Sequence, residues 1–503
     1  MTNPGIAWKH ATCGLPVTVV VREKRLMRGF VLMVVCLTAH VELSYAQDRI
    51  DLPRAIELAL KQNKTLARSV LQTEVAVLGF EAAKAPFGIK IAPGGSAGLN
   101  SGHGNATAGI TVARKLAWGT EVNLSTSLGK TVSPFDTNGV TVYNGSVNVE
   151  IKQPLLRGLG ELVNTEGITL AQSRVMEARR LVEMQQSDLV VETVRTYVAL
   201  LRLKRQKESA NESAVRMERL SKLTKAMERR GGTTHIDTLR SELQLGQALA
   251  QVESNGQEFD STMRDFAELL GVGTDATFDL EQVPFVEESL PEGKEAEEIA
   301  LQNRLDYAQS LQDLKDAERG QLVAENRVLP DLALTLQYQR FGAGDNVADA
   351  TGFKEHFWFV GLSSSTDIFR REDRIACQQT LVNGEVARRN LGIMEMGIRK
   401  QSRQYLLAYK RGIGALGIAG RNLALAKARA VLTRRMFEMG RVDNFSVTDA
   451  EMAYLNAVNQ LLQSETETTL AGYQLRRALG TLLEVPSELL PQKEAGRKEL
   501  PRS

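Results

Sequence analysis

Met227-Glu228-Arg229-Arg230-Gly231-Gly232-Thr233-Thr234-His235-Ile236-Asp237 decides how this chain folds, because the same plan returns at Met436-Phe437-Glu438-Met439-Gly440-Arg441-Val442-Asp443-Asn444-Phe445-Ser446. Setting Gly231 on Gly440 also sets Met227 on Met436, Glu242 on Glu451 and Leu270-Gly271 on Leu479-Gly480, all at one offset. Glycine ends a helix where φ turns positive, and Thr, Asp or Ser caps the next one. Each stretch therefore reads as a tight turn between two antiparallel helices.

Proline marks how far those helices can run. None occurs between Pro154 and Pro284 or between Pro330 and Pro486, and a proline inside a helix costs ~3 kcal/mol. In the first void Val190, Val194, Tyr197, Val198 and Leu201 follow steps of three and four, and Leu249, Val252, Phe259, Met263, Phe266 and Leu270 continue the pattern beyond the turn. A helix from Leu162 to Arg229 would rise about 100 Å at 1.5 Å per residue. Shorter helices are expected from Leu52 to Lys84, before Pro86, and from Ala296 to Val328, before Pro330. Two half-length helices placed end to end would lie beside each full-length one. The chain reads as an internal duplication: a first repeat over 47–290, a second over 291–486, and a disordered tail over 487–503.

Between the helices each half offers two strands. Val122, Leu124, Thr126 and Leu128 alternate with Asn123, Ser125 and Ser127; Val147, Val149 and Ile151 alternate with Asn148, Glu150 and Lys152. In the second half Leu332, Leu334, Leu336 and Tyr338 alternate with Ala333, Thr335, Gln337 and Gln339, and His356 to Ser365 is rich in aromatic residues. Each is about the ~9–11 residues of a tilted transmembrane strand, apolar on one face and polar on the other. Glycine-, Asn- and Asp-bearing loops, Ser133–Asn144 and Phe341–Phe353, would join the pairs. Four strands cannot close around a lumen, so a membrane reading demands an oligomer. A soluble sheet capping a helical domain is the other reading of any one strand.

The N-terminus reads as a signal peptide over 1–46. Arg22, Lys24, Arg25 and Arg28 precede an apolar run from Phe30 to Ala39, and Ser44-Tyr45-Ala46 is a small-x-small cleavage site. Met27 is an alternative start. Val34 and Val35 before Cys36 give no lipoprotein signal, and no long apolar run follows Ala46, so a membrane-spanning form of the mature chain must be a β-barrel.

Composition narrows the function. The 503 residues carry a formal net charge of +2, which gives no basic face for nucleic acid. Only Cys377 of the three cysteines, Cys13, Cys36 and Cys377, lies beyond the signal, so neither a disulfide framework nor a cysteine metal site is expected. No phosphate loop, nucleophile triad or metal set recommends an enzyme, and no cofactor is expected. His235 reads as an exposed turn residue.

The order helix, strand pair, long helix, glycine-bearing tip, helix, all twice, resembles the TolC-type outer-membrane efflux proteins. The resemblance spans Asp51 to Val485 and rests on Ala55-Ile56-Glu57-Leu58-Ala59-Leu60, Gln153-Pro154-Leu155-Leu156-Arg157-Gly158, its partner phrase Thr366-Asp367-Ile368-Phe369-Arg370, and the two tips. It implies a mainly α chain with a small transmembrane β part. Three copies would build a periplasmic α-barrel from duplicated long hairpins, with four strands each in one twelve-stranded outer-membrane barrel. It also implies partners: a homotrimer, outer-membrane lipid, a periplasmic adaptor (membrane fusion) protein and an inner-membrane transporter, in tripartite efflux or type I secretion.

By the same resemblance, Asp237, Asp449, Arg441 and Phe437 would sit at the periplasmic gate, and Gly231, Gly232, Gly440 and Val442 at adaptor-docking tips. Asp237 matches a latch aspartate and Asp449 an acidic ring residue, while Ser446 replaces the other ring acid. Phe437 stands where a tyrosine is usual and Val442 where an arginine is usual, with Arg441 adjacent. Asp237 reads equally as a helix cap, and Asp449 as a solvated helix residue. The rival function is a periplasmic coiled-coil adaptor or structural protein that does not span the membrane; the lipoyl-like, strand-rich insert of adaptors is missing from the sequence.

Overall fold

The computed structural model describes residues 48–100, 103–132, 141–283 and 290–491. The expected signal peptide, the loop crest at 133–140 and the expected tail from 492 on lie outside the described residues. In chain order the elements are β1 (Asp48–Ile50), α1 (Leu52–Gln62), α2 (Lys64–Lys84), β2 (Lys90–Asn100), β3 (His103–Lys115), β4 (Glu121–Val132), β5 (Thr141–Pro154), α3 (Glu161–Glu228), α4 (His235–Leu270), β6 (Phe278–Leu280), α5 (Gly293–Asn303), α6 (Leu305–Arg327), β7 (Ala333–Gly344), α7 (Val347–Thr351), β8 (Glu355–Ser363), α8 (Arg371–Glu438) and α9 (Asn444–Leu479).

The two long helices each span 68 residues and their return helices each span 36. The helix expected over 52–84 is divided at Asn63. There the side chain accepts from the Thr65 and Leu66 amides at 2.9 and 3.0 Å, starting α2, and its Nδ2 donates to the Leu269 carbonyl at 3.0 Å. Arg304, extended at ψ 127°, divides α5 from α6 at the equivalent place.

Glycine ends the return helices, and its missing side chain sets how closely they approach the shorter ones. Gly271 has φ +77°, and a Cβ there would lie 2.2 Å from the Gln62 carbonyl oxygen. Gly480, at φ +71°, abuts Asn303 in the same way. The end of α4 therefore meets the α1–α2 joint and the end of α9 meets the α5–α6 joint, the end-to-end stacking expected from helix length.

These contacts arrange the helices as one layer. Toward the sheet its order is α2, α3, α6, α8; toward the tips it is α4, α3, α9, α8. Its core lies around the joints, where Val190, Val194, Tyr197 and Leu200 of α3 pack on Leu52, Ala55 and Ala59 of α1 and on Met263 and Phe266 of α4. The Tyr197 hydroxyl is shared between the carbonyls of Ile50 at 2.9 Å and Glu281 at 2.7 Å, fixing the parallel β1–β6 pair against α3. A second cluster around Ile398, Leu406, Tyr409 and Leu475 serves the other half. Leu489, expected in the tail, is buried, and its carbonyl accepts from Arg180 Nε at 3.1 Å.

The sheet departs from expectation. Among the described residues it holds six strands rather than four, in the order β2-β3-β4-β5-β7-β8, every neighbouring pair antiparallel. The four expected strands are its last four; β2 and β3 are additional. They escaped the alternation test because Ala92, Gly94, Gly95, Ala97, Gly98, Ala106, Ala108 and Gly109 supply little side chain to alternate, and Pro93 argued against a strand. Pairing supplies what the pattern lacked: β3 runs against β4 over ten residue pairs, from Ala106–Lys130 to Lys115–Glu121. The expected loop over 341–353 holds the short α7, which packs on β5 and β7.

Candidate functional site

The two tips are built alike. In the last turn of α3 the Met227 carbonyl accepts from the Gly232 amide at 2.9 Å, and in the last turn of α8 the Met436 carbonyl accepts from the Arg441 amide at 2.8 Å. Gly231 and Gly440, at φ +75° and +67°, make these turns with no Cβ to resist them. In the first tip Thr234 and Asp237 form a reciprocal capping box that starts α4. In the second, Asp443 accepts from the Ser446 amide at 3.0 Å and from its hydroxyl at 2.5 Å. Those two bonds, the hydroxyl's first, hold the Asp443 carboxyl below the usual aspartate range.

Several contacts tie one hairpin to the other. Asn444 Nδ2 donates to the Asp237 carbonyl at 3.0 Å. Phe437 is buried with Met217, Leu220 and Val447. Glu451, on α9 and only 2% exposed, accepts from Arg216 Nε of α3 at 2.9 Å and pairs with Arg434 of α8. Alongside, the Arg240 guanidinium lies 5.6 Å from the centre of the Phe445 ring.

The residues expected at the gate are thus brought into one region but not into one cluster. Asp237 caps α4 and offers its backbone, not its carboxylate, to the other hairpin. Asp449 pairs with Arg429 across the α8–α9 hairpin. Phe437 faces the apolar core between hairpins. Arg441 is exposed at its turn with no ion pair among the described residues, and Val442 packs at the edge of the Phe437 cluster. Sequence reasoning missed Glu451 and its two arginines. The signal was present in the duplication: Lys225 pairs with Glu242 in the first hairpin, the positions equivalent to Arg434 and Glu451 in the second.

The sheet carries the other functional feature. One row of cross-strand neighbours on a single face reads Ile91, Val112, Leu124, Val149, Tyr338, Trp358, one from each strand, and no charge interrupts it. The next row, on the opposite face, reads Ala92, Thr111, Ser125, Asn148, Gln339, Phe357. On that polar face Gln337 Nε2 donates to Asn148 Oδ1 at 2.9 Å, and the Ser127 and Ser146 hydroxyls are 2.8 Å apart. The apolar face is open: Ile91 is 68% exposed and Trp358 67%. Arg114 and Arg340 stand on this face toward its two ends.

Apolar side chains are also open along both margins of the helical layer. Leu71, Val75 and Leu78 of α2 with Leu239 and Leu243 of α4 line one margin; Val382, Ile393, Met396 and Leu425 of α8 line the other. Among the described residues no group of three or more His, Cys, Asp or Glu is placed to hold a metal ion, and no helix is long and apolar enough to cross a membrane.

The fold is similar to that of solved outer-membrane channels. OprN superposes with a TM-score of 0.68 at 18% identity, covering 86% of this chain and 90% of that one. CmeC of Campylobacter jejuni gives 0.66 at 15%, covering 87% of each chain. VceC of Vibrio cholerae gives 0.66 at 14%, covering 85% of this chain and 96% of that one. No protein-family model and no curated protein matches the sequence. The fold is that of these outer-membrane channels.

Proposed function

We propose that this chain is one subunit of a trimeric exit duct, its sheets forming a barrel in the outer membrane and its helices a tube through the periplasm. The observation that carries this reading is the open apolar row from Ile91 to Trp358 backed by a polar row. Water would oppose so large an exposed apolar face, whereas lipid on one side and a water-filled lumen on the other satisfy both faces. The two apolar margins of the helical layer are different surfaces, so copies meet head to tail and close into a ring.

The duct is passive and no enzyme: an inner-membrane transporter and a periplasmic adaptor, docking at the turns around Gly231, Gly232, Gly440 and Val442, choose and drive the cargo in tripartite efflux or type I secretion. Asp237, Asp449, Arg441 and Phe437 lie where the hairpins would converge on the ring axis. A ring of Asp449 carboxylates, each offset by its Arg429, would weakly favour cations.

Outer-membrane fractionation with heat-modified gel mobility, followed by single-channel conductance of the purified oligomer in a planar bilayer, tests the reading. Recovery as a water-soluble monomer without detergent would sink it and favour the adaptor-like alternative.

A further inference from the structure

We propose that the ring closes through all six strands of each copy, β8 of one subunit pairing with β2 of the next, so that three copies make an eighteen-stranded barrel; this rests on the channel reading above. Four observations carry it. The strand order leaves β2 and β8 as the two outer strands of the described sheet, because β4, which would end a four-strand set, is already paired along its length to β3. Gly109 seals that seam: it approaches β4 so closely that a Cβ would lie 2.1 Å from the Thr126 carbonyl oxygen. Six is an even number, so β8 runs opposite to β2, and rotation about the ring axis brings the next copy's β2 beside it antiparallel. The apolar row continues through Ile91 of β2 and Val112 of β3, and the neighbouring row through Ala92 and Thr111, without changing face, so the register carries the two faces of the wall into both strands.

Circumference agrees. Four helices abreast at ~9 Å spacing occupy an arc of about 36 Å per subunit. Six strands ~4.8 Å apart and tilted by ~40° occupy about 38 Å, and four strands only about 25 Å. The six-stranded sheet therefore continues the helical layer without a step. Pro93 removes one N–H from β2, so the seam holds one potential bond fewer than a regular pair. The consequence is a pore about half again as wide as twelve strands would give, since diameter grows roughly linearly with strand number.

Cysteine cross-linking of the full-length protein in its own membrane reads the seam. In a Cys377→Ser background, Phe359→Cys is combined with Ala92→Cys, Gly94→Cys, Ser96→Cys or Gly98→Cys on β2, and separately with Asn123→Cys, Ser125→Cys or Ser127→Cys on β4. All these positions share the polar face, and stepping along β2 covers the unknown register. A disulfide-linked trimer ladder from a β2 pair, none from β4, and eighteen strands by electron cryo-microscopy are expected. Ladders from β4 pairs, or twelve strands in an intact outer-membrane trimer, would overturn this proposal while leaving the channel reading standing. Absence of any membrane-embedded ring would remove both.

Discussion

Asn444 Nδ2 donates to the backbone carbonyl of Asp237 at 3.0 Å, joining the first turn of one hairpin's return helix to the first turn of the other's. The two residues are 207 positions apart, and the bond is part-buried. It fixes the hairpins' relative height near the tips, where the duct would narrow. Asn444→Leu removes the donor and with it a part-buried bond worth about 1 kcal/mol. Faster amide exchange across 235–241 and 444–450, with the rest of the protein unchanged, is the expected result; unchanged exchange would mean the bond holds nothing.

Glu451 lies between Arg216 and Arg434, nearly removed from solvent, while its counterpart Glu242 pairs with Lys225 in the open. Glu451→Gln strands Arg216, whose side chain is 18% exposed, beside a neutral amide. A loss of about 3 kcal/mol is expected, against under about 1 kcal/mol for Glu242→Gln. Denaturant midpoints of the two variants, measured side by side, separate a buried clamp from a surface pair.

The Asp443 carboxyl is held below its ordinary range by Ser446, so the sign of its pH effect is fixed. A depressed folded value stabilises the native state above the unfolded value, near pH 4, and that contribution fades as pH falls through the folded value. Asparagine caps a helix about as well as aspartate. The wild type should therefore melt above Asp443→Asn at pH 6, with the gap closing toward pH 3; a gap independent of pH would contradict this.

Tyr197 is buried, and burial pushes its hydroxyl pKa up to about 12. The phenol therefore stays protonated and donating through the whole range in which the protein would work. Tyr197→Phe keeps the ring against Phe266 but loses the bonds to Ile50 and Glu281. A loss of about 1–2 kcal/mol, visible as earlier thermal unfolding and equal at pH 6 and pH 9, is the expected outcome.

Asp449 is paired with Arg429, which changes what its removal should do. In single-channel recordings Arg429→Gln, which leaves the carboxylate uncompensated, should raise cation preference, and Asp449→Asn, which leaves the guanidinium uncompensated, should lower it. Unchanged selectivity in both variants would show that the pair does not line the conduction path.

Much of the fold was legible because it is written locally. Gly231 and Gly440 end helices through their own backbone freedom, Thr234 and Asp443 cap the next ones within three residues, and the proline voids bound the long helices. The breaks at Asn63 and Arg304 were not legible. Asn63 divides its helix partly by bonding Leu269, a residue from another part of the chain.

The sequence by itself determined the helix lengths, the turns, the doubled plan and the two-faced strands β4, β5, β7 and β8, since each follows from spacing or chemistry within a few neighbours. Only the tertiary structure decided that β2 and β3 are strands, that Phe437 is core, and that Glu451 and Asp449 each already have arginine partners. Small residues such as Gly94 and Ala108 carry almost no preference of their own and become a strand only where another strand supplies the hydrogen bonds. A charge near a tip becomes clamp or lining according to the helix that packs against it, and that helix lies far away in the chain.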